Sequence, residues 1–317
     1  MRPSPRVGYS LAITAAVAWA STGPGISFLL STTTISPLAL AFWRDAFVAL
    51  ACMGGVLIAG RGHLPQIGRG DLRDFAVMGI ISVGLYHSLF VTSIALNGAA
   101  LSIVLIYLYP AFVSLGAHLF FKEEISGQQI AALILAIIGC GLLVRIYDPV
   151  VLRVNWLGVL VGVGSAVMHA GYVLFNQRAV SRHSAWLSLA LTMSFGALTL
   201  LLLNTITGGP SSLFTFGANP TPWLWVVALA LGPTLGGYAA FTNSLRYIPG
   251  RISSVLMVIE APLATLIAVG LLGEHIGPIQ MFGMLLVLLA AVLPSLRLRL
   301  PGRVPATQSS VEAGSAL

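Results

Sequence analysis

Arg44 and Asp45 stand side by side inside the apolar stretch Phe42-Trp43-Arg44-Asp45-Ala46-Phe47. Polar or aromatic groups recur near the middle of most apolar runs: Trp19, Tyr86 and His87, Tyr107 and Tyr109, His169 and Tyr172, Ser194, Tyr238 and Glu260. Against hydrocarbon such groups are costly, so they face a cavity or one another. Drawn to one depth, they would wall a cavity with aromatic and apolar surface and supply a few polar points. That chemistry binds rather than makes bonds. A small zwitterion fits it. The carboxylate needs donors such as Arg44, the ammonium needs an acceptor or an aromatic face, and the side chain needs apolar walls. The substrate-binding candidates are therefore Trp19, Arg44, Tyr86, His87, Tyr107, His169, Tyr172, Tyr238 and Glu260.

Each has a plainer reading. Neighbours on a helix point about 100° apart, so Arg44 and Asp45 are not expected to satisfy each other easily. Arg44 pairs with Glu260, or Asp45 with another donor, if the role is structural. Glu260 precedes Pro262, which removes a ladder hydrogen bond; it is either a gate or coupling carboxylate or a helix–helix anchor. His87 and His169 either line the cavity or bond a neighbouring carbonyl. An unperturbed imidazole titrates near 6.5, so either is able to carry a proton. Tyr86 and His87 are expected to point to different faces. Asp45, Glu260, Pro24, Pro110 and Pro262 are the coupling or gating candidates. Gly23-Pro24-Gly25 and Gly232-Pro233 mark hinges or ordinary kinks. Gly158/Gly162 and Gly232/Gly236 have the spacing of close helix contacts. Glu123 and Glu274 lie at helix ends, where a scaffold role is expected.

The elements that must position these groups are membrane helices. Of 317 residues, 57% are hydrophobic and 8% charged, against roughly 25% charged in soluble domains. Mean hydropathy is +0.94. The pattern predicts ten helices: Val7–Leu30, Ser36–Ala59, Asp74–Leu96, Ala99–Phe121, Gln128–Val144, Trp156–Gln177, Ser184–Leu203, Pro222–Leu245, Arg251–Leu272 and Pro278–Leu296. Arg2 and Arg6 before an apolar run, with Ala18-Trp19-Ala20 after it, have the outline of a signal peptide. The run continues to Leu30, which favours an uncleaved first span. Residues 301–317 are expected to form a polar disordered tail.

With the N-terminus inside, thirteen basic residues fall on the inner side and two, Arg145 and Arg153, on the outer. Both termini are therefore expected in the cytoplasm of a bacterial-type inner membrane. The net charge of +7 reads as orientation and not as nucleic-acid binding. The expected partners are a small-molecule substrate and the lipid bilayer. Cys52 and Cys140 lie in apolar runs and are expected to be free thiols. No Walker A, zinc-spaced Cys/His cluster, HExxH or Gly-x-Ser-x-Gly motif occurs, so no cofactor or metal is expected. Glu123-Glu124, beside Lys122, looks like a solvated cap and not a catalytic pair. An enzyme, or a membrane receptor, is the weaker reading.

The chain also repeats itself. In residues 98–129 and 250–280, Gly98 aligns with Gly250, Ser102 with Ser254 and Pro110 with Pro262; one residue out of step, Glu123 aligns with Glu274 and Gln129 with Gln280. Two units follow, 1–150 and 151–300. Five helices per unit is an odd number, so the second copy enters from the opposite face. This paired pattern, with Trp19 and Arg44, resembles the drug/metabolite transporter superfamily of the EamA type. The resemblance implies an all-α fold of ten transmembrane helices in two inverted repeats. It also implies a secondary carrier, often an exporter of amino acids or other metabolites, working by alternating access. Other small organic solutes, such as drug-like cations or nucleosides, remain the alternative cargo. In that pattern Lys122 stands where glycine is common, as at Gly273.

Overall fold

A computed structural model describes residues 5–62, 67–149, 155–216, 219–272 and 276–293. The expected tail, Glu274 and the arginines beyond residue 293 lie outside the described residues. Fourteen α-helices cover most of this length: α1 (Pro5–Ala20), α2 (Thr22–Thr32), α3 (Pro37–Ala59), α4 (Arg69–Gly79), α5 (Tyr86–Ile106), α6 (Tyr109–Phe121), α7 (Gly127–Leu143), α8 (Trp156–Arg182), α9 (Ala185–Gly208), α10 (Pro220–Leu229), α11 (Leu235–Ser244), α12 (Gly250–Leu256), α13 (Glu260–Leu272) and α14 (Pro278–Val292). Eight stretches built from them are long and apolar enough to cross a membrane, and α7 and α14 are shorter apolar helices.

Local chemistry sets the starts. Ser36, Asn155 and Ser184 cap α3, α8 and α9 through side-chain oxygens that accept the backbone N–H three residues on, at about 1 kcal/mol each. Ser126 and Gln129 form a reciprocal capping box before α7. Gln280 repeats half of it by accepting Gly277 N–H at 3.0 Å. Lys122 ends α6 with φ +56°, the left-handed region that costs a side-chain-bearing residue about 1–2 kcal/mol. That backbone requirement explains why glycine suits the position.

Five spans are interrupted. Pro24 has no N–H for the carbonyl of Ala20, and the first span breaks at Ser21 into α1 and α2. Pro110 and Pro262 act alike four residues after Ile106 and Val258. One leaves the turn at Tyr107 and Leu108; the other tightens Met257–Ile259 into a 3-10 turn. Pro233 sits in a π turn, Ala230–Thr234, where the Thr234 hydroxyl donates to the stranded carbonyl of Leu229 at 2.9 Å. A second π turn, Ile80–Leu85, joins α4 to α5 without a proline.

The turn expected near Asn97 and Gly98 carries helical backbone, since α5 runs through it. The chain nevertheless reverses there. The hydroxyls of Ser93 and Ser102 are 2.9 Å apart, whereas nine residues of straight helix advance about 13.5 Å. Ser244 and Ser253 make the same contact at 2.7 Å in the second half, one residue out of step with the alignment.

Packing pairs the halves. Helix α3 lies along α9, α7 along α14, α5 along α8 and α1 along α11. Small residues permit the approach. A Cβ on Gly158 would collide with Asn97, and one on Gly162 would stand 2.6 Å from Leu105. The other expected close pair is corrected: Gly232 and Gly236 are exposed, and a Cβ added to either would meet nothing within 4 Å. Gly237 takes the role, since a methyl group added there would overlap the Trp19 indole.

Candidate functional site

The breaks decide where the polar groups go. Trp19 lies just before the Ser21 break, Tyr86 and His87 follow the first π turn, and Tyr107 is in the α5–α6 turn. Tyr238 is one helical turn past the second π turn, and Glu260 directly follows the 3-10 turn. Irregular backbone at membrane depth is tolerated only where protein buries it or a cavity is lined.

These residues converge. His169 is the hub: its ring lies 4.7 Å from Tyr86, 4.6 Å from Tyr109, 6.0 Å from Tyr172 and 6.4 Å from Trp19. Trp19 continues the cluster to Tyr238 at 4.8 Å, and Tyr238 to Tyr172 at 5.4 Å. Such ring pairs contribute about 0.5–1.5 kcal/mol each beyond burial. The Nδ1 of His169 is buried with no hydrogen-bond partner among the described residues.

Beside the rings is a buried charged triad. Asp45 Oδ2 is 2.8 Å from His87 Nδ1, and Arg44 Nη2 is 2.8 Å from His87 Nε2. Arg44 Nε is 3.5 Å from Asp45 Oδ1. This corrects the expectation that Arg44 and Asp45 do not satisfy each other. Their side chains leave α3 on different bearings, and His87 from α5 fills the gap between them. Arg44 does not pair with Glu260. Tyr86 packs on His169 of α8 and His87 bonds to α3, yet their rings stay 4.7 Å apart, so the expected divergence to different faces is corrected.

Glu260 is half-buried and makes no ion pair or hydrogen bond among the described residues. It lies within electrostatic reach of Tyr86, Tyr107, Tyr109 and Cys140. Tyr86 also feels Arg44 and Asp45, so both the triad and the free carboxylate act on it. The hydroxyls of Tyr109 and Tyr172 are already used, on the Ser254 carbonyl at 3.2 Å and on Thr242 at 3.1 Å. Tyr107 is buried near Cys140. Pro110 and Pro262 are buried beside the breaks they cause, while Pro24 sits half-buried in the first turn of α2. Ser194 bonds back to its own helix at Ala190.

Sequence reasoning missed Phe241 and Thr242. Phe241 packs 5.5 Å from Trp19, and its spacing of three from Tyr238 is the one signal that places it on the same face. Cys52 and Cys140 are free and buried.

The two membrane ends are tied differently. At one, Glu123 Oε2 is 2.8 Å from Arg251 Nε, and Gln177 donates to Glu123 at 3.2 Å while accepting Gly250 N–H at 2.8 Å. At the other, Trp43 donates to the Leu213 carbonyl at 2.8 Å and packs against Trp223 at 4.8 Å.

Comparison with known proteins follows the two halves. A model of the EamA-like transporter family matches residues 6–145 and again 156–296. The uncharacterized inner membrane transporter YicL of Salmonella typhimurium is 25% identical over 294 residues, 92% of this chain and 96% of that protein. The uncharacterized transporter YyaM of Bacillus subtilis is 24% identical over 293 residues, 90% and 94% of the two chains. One crystal structure of a protein superposes with a TM-score of 0.76 at 21% identity, covering 93% of this chain and 99% of that one, which is a likeness of fold.

Proposed function

Because the chain belongs to the EamA-like transporter family, we propose that it is a secondary carrier exporting small metabolites, amino acids with apolar or aromatic side chains foremost, by alternating access. The carrying observation is the aromatic cluster around His169, whose Tyr86 is within electrostatic reach of both the Arg44–Asp45–His87 triad and the unpartnered Glu260. An ammonium group is drawn to Glu260 and the aromatic faces, a carboxylate to the spare N–H groups of Arg44, and the rings receive the side chain.

Ten crossings in two inverted repeats are supported by the way each half mirrors the other. Helix α3 pairs with its counterpart α9 and α7 with α14, while the pairing of α5 with α8 is repeated as α11 with α1. The two serine contacts, the two π turns and the proline breaks before Tyr109 and Glu260 recur at matching places. A scaffold of two like halves has two near-equivalent packings, one open to each face. The Glu123–Arg251 link and the Trp43 cluster are then the inner and outer closures. The basic residues favour termini in the cytoplasm.

A second reading has one observation in its favour. Glu260 is free among the described residues while Arg44 is engaged, which suits an organic cation. Purified protein in liposomes, offered aromatic and aliphatic amino acids, a quaternary cation and a nucleoside, decides. Saturable amino-acid uptake competed by related amino acids is expected. Uptake of the cation alone moves the cargo to the second reading, and uptake of none rejects transport of this class.

A further inference from the structure

The cleft at the charged ends of α4 and α8 is separate from the central cluster and has its own chemistry. It encloses about 510 Å³, within the range of small-ligand pockets. One wall carries Arg178 and Arg182, a helical turn apart on α8. The other carries Asp71 near the start of α4. Arg178 is held in place, its guanidinium 4.5 Å over the Phe121 ring and its Nη2 donating to the Phe120 carbonyl at 3.4 Å. Among the described residues neither arginine is paired with a carboxylate. Asp71 has only His183, whose Nε2 is 3.3 Å away without hydrogen-bond geometry and is buried with no other partner among the described residues. Asp74, also in the cleft, is covered by Arg73 at 3.3 Å.

The floor is apolar. Phe75 packs edge-on to Phe175 at 5.4 Å and to His183 at 5.4 Å. Val77 continues that floor onto the outer face of the bundle, where it is exposed. The site therefore offers two arginines for a phosphate, a carboxylate on the facing wall for an amine, and an apolar exit toward acyl chains. It sits where the spans Arg69–Asn97 and Trp156–Arg182 begin and end, the depth of lipid headgroups.

We propose that this cleft binds the headgroup of an amine-bearing zwitterionic phospholipid, a phosphatidylethanolamine, with the phosphate on Arg178 and Arg182 and the ammonium on Asp71. Basic pockets between spans are known lipid sites; the facing carboxylate adds selection for the amine, since three methyl groups would block its hydrogen bonds.

The test is native mass spectrometry of the full-length protein in detergent with added dioleoyl phosphatidylethanolamine, phosphatidylcholine or phosphatidylglycerol. Wild type is expected to retain phosphatidylethanolamine about tenfold more tightly than phosphatidylcholine, the effect of one charged hydrogen bond. Asp71→Asn is expected to erase that preference while leaving phospholipid bound. Arg178→Gln with Arg182→Gln is expected to weaken all three lipids about tenfold or more, and Arg178→Lys with Arg182→Lys to recover part. Equal retention of the two zwitterions by wild type overturns the proposal and needs no variant. Tighter retention of phosphatidylglycerol also overturns it, because it marks a purely basic patch. Displacement by water-soluble glycerophosphoethanolamine at equal concentration assigns the cleft to a soluble phosphodiester and rejects the lipid.

Discussion

The Nε2 of His87 lies 2.8 Å from the Nη2 of Arg44, and that contact fixes the state of the ring. A guanidinium only donates, so Nε2 accepts and Nδ1 carries the proton that Asp45 receives. The imidazole is neutral and the triad has no net charge. Adding a proton sets N–H against N–H and leaves a buried positive charge. The ring is thus a neutral bridge between the two charges of α3.

Asp45 is fully buried, and its loss leaves Arg44 without its countercharge. Asp45→Asn is expected to destabilise the protein by about 3–5 kcal/mol, as breaking a buried pair does, while Arg44→Leu combined with Asp45→Leu costs much less. Thermal unfolding in detergent compares them. Equal losses in the single and double variants would show that packing, and not the stranded charge, sets the cost.

How far the sequence reveals this site depends on the kind of contact. Span ends were legible because Ser36, Ser126, Asn155 and Ser184 cap their helices locally. The central residues were legible as a set, since a polar group deep in an apolar run has few places to go. Their partners were not. Arg44 and Asp45 meet through a histidine 42 residues beyond Asp45, and no spacing rule reaches that far. The π turn at Ile80–Leu85 has no proline to announce it. Gly237, rather than Gly232 or Gly236, was illegible because the choice depends on which face of α11 meets Trp19.

Glu260 has no partner to lose among the described residues, so Glu260→Gln is expected to leave thermal stability within about 0.5 kcal/mol. Its effect falls on the ligand. Removing this free carboxylate near the rings is expected to weaken amino-acid binding about tenfold or more, the loss of a charge-assisted contact. If binding holds and stability falls instead, Glu260 is a scaffold residue.

The Glu123–Arg251 pair joins the end of α6 to the start of α12 and is partly exposed, 23% and 22% for the two side chains. Pairs of that exposure contribute up to about 1 kcal/mol, enough to shift a two-state balance about fivefold. Arg251→Gln is expected to open that end. A cysteine replacing the fully buried Ser254, in a Cys52→Ala, Cys140→Ala background, should then react several-fold faster with a membrane-impermeant maleimide added from the cytoplasmic side. Unchanged labelling would place the closure elsewhere.

Two neighbouring glycines separate packing from propensity. A methyl group on Gly237 would overlap the Trp19 indole, whereas one on Gly236 meets nothing within 4 Å. Trp19 has no free space to take, because Tyr238, Phe241 and His169 hold it on other sides. Gly237→Ala is therefore expected to cost about 1–3 kcal/mol through overpacking and to disturb the ring cluster, which lowers substrate affinity as well. Gly236→Ala changes the same helix without the clash. Its expected effect is neutral or stabilising by up to about 1 kcal/mol from backbone propensity. Thermal unfolding reads the stability difference, and the fluorescence of Trp19, isolated by replacing the other tryptophans with phenylalanine, reads the displacement. Equal behaviour of the two variants would mean that α11 does not press on Trp19, and the aromatic wall would lose its rigid backing.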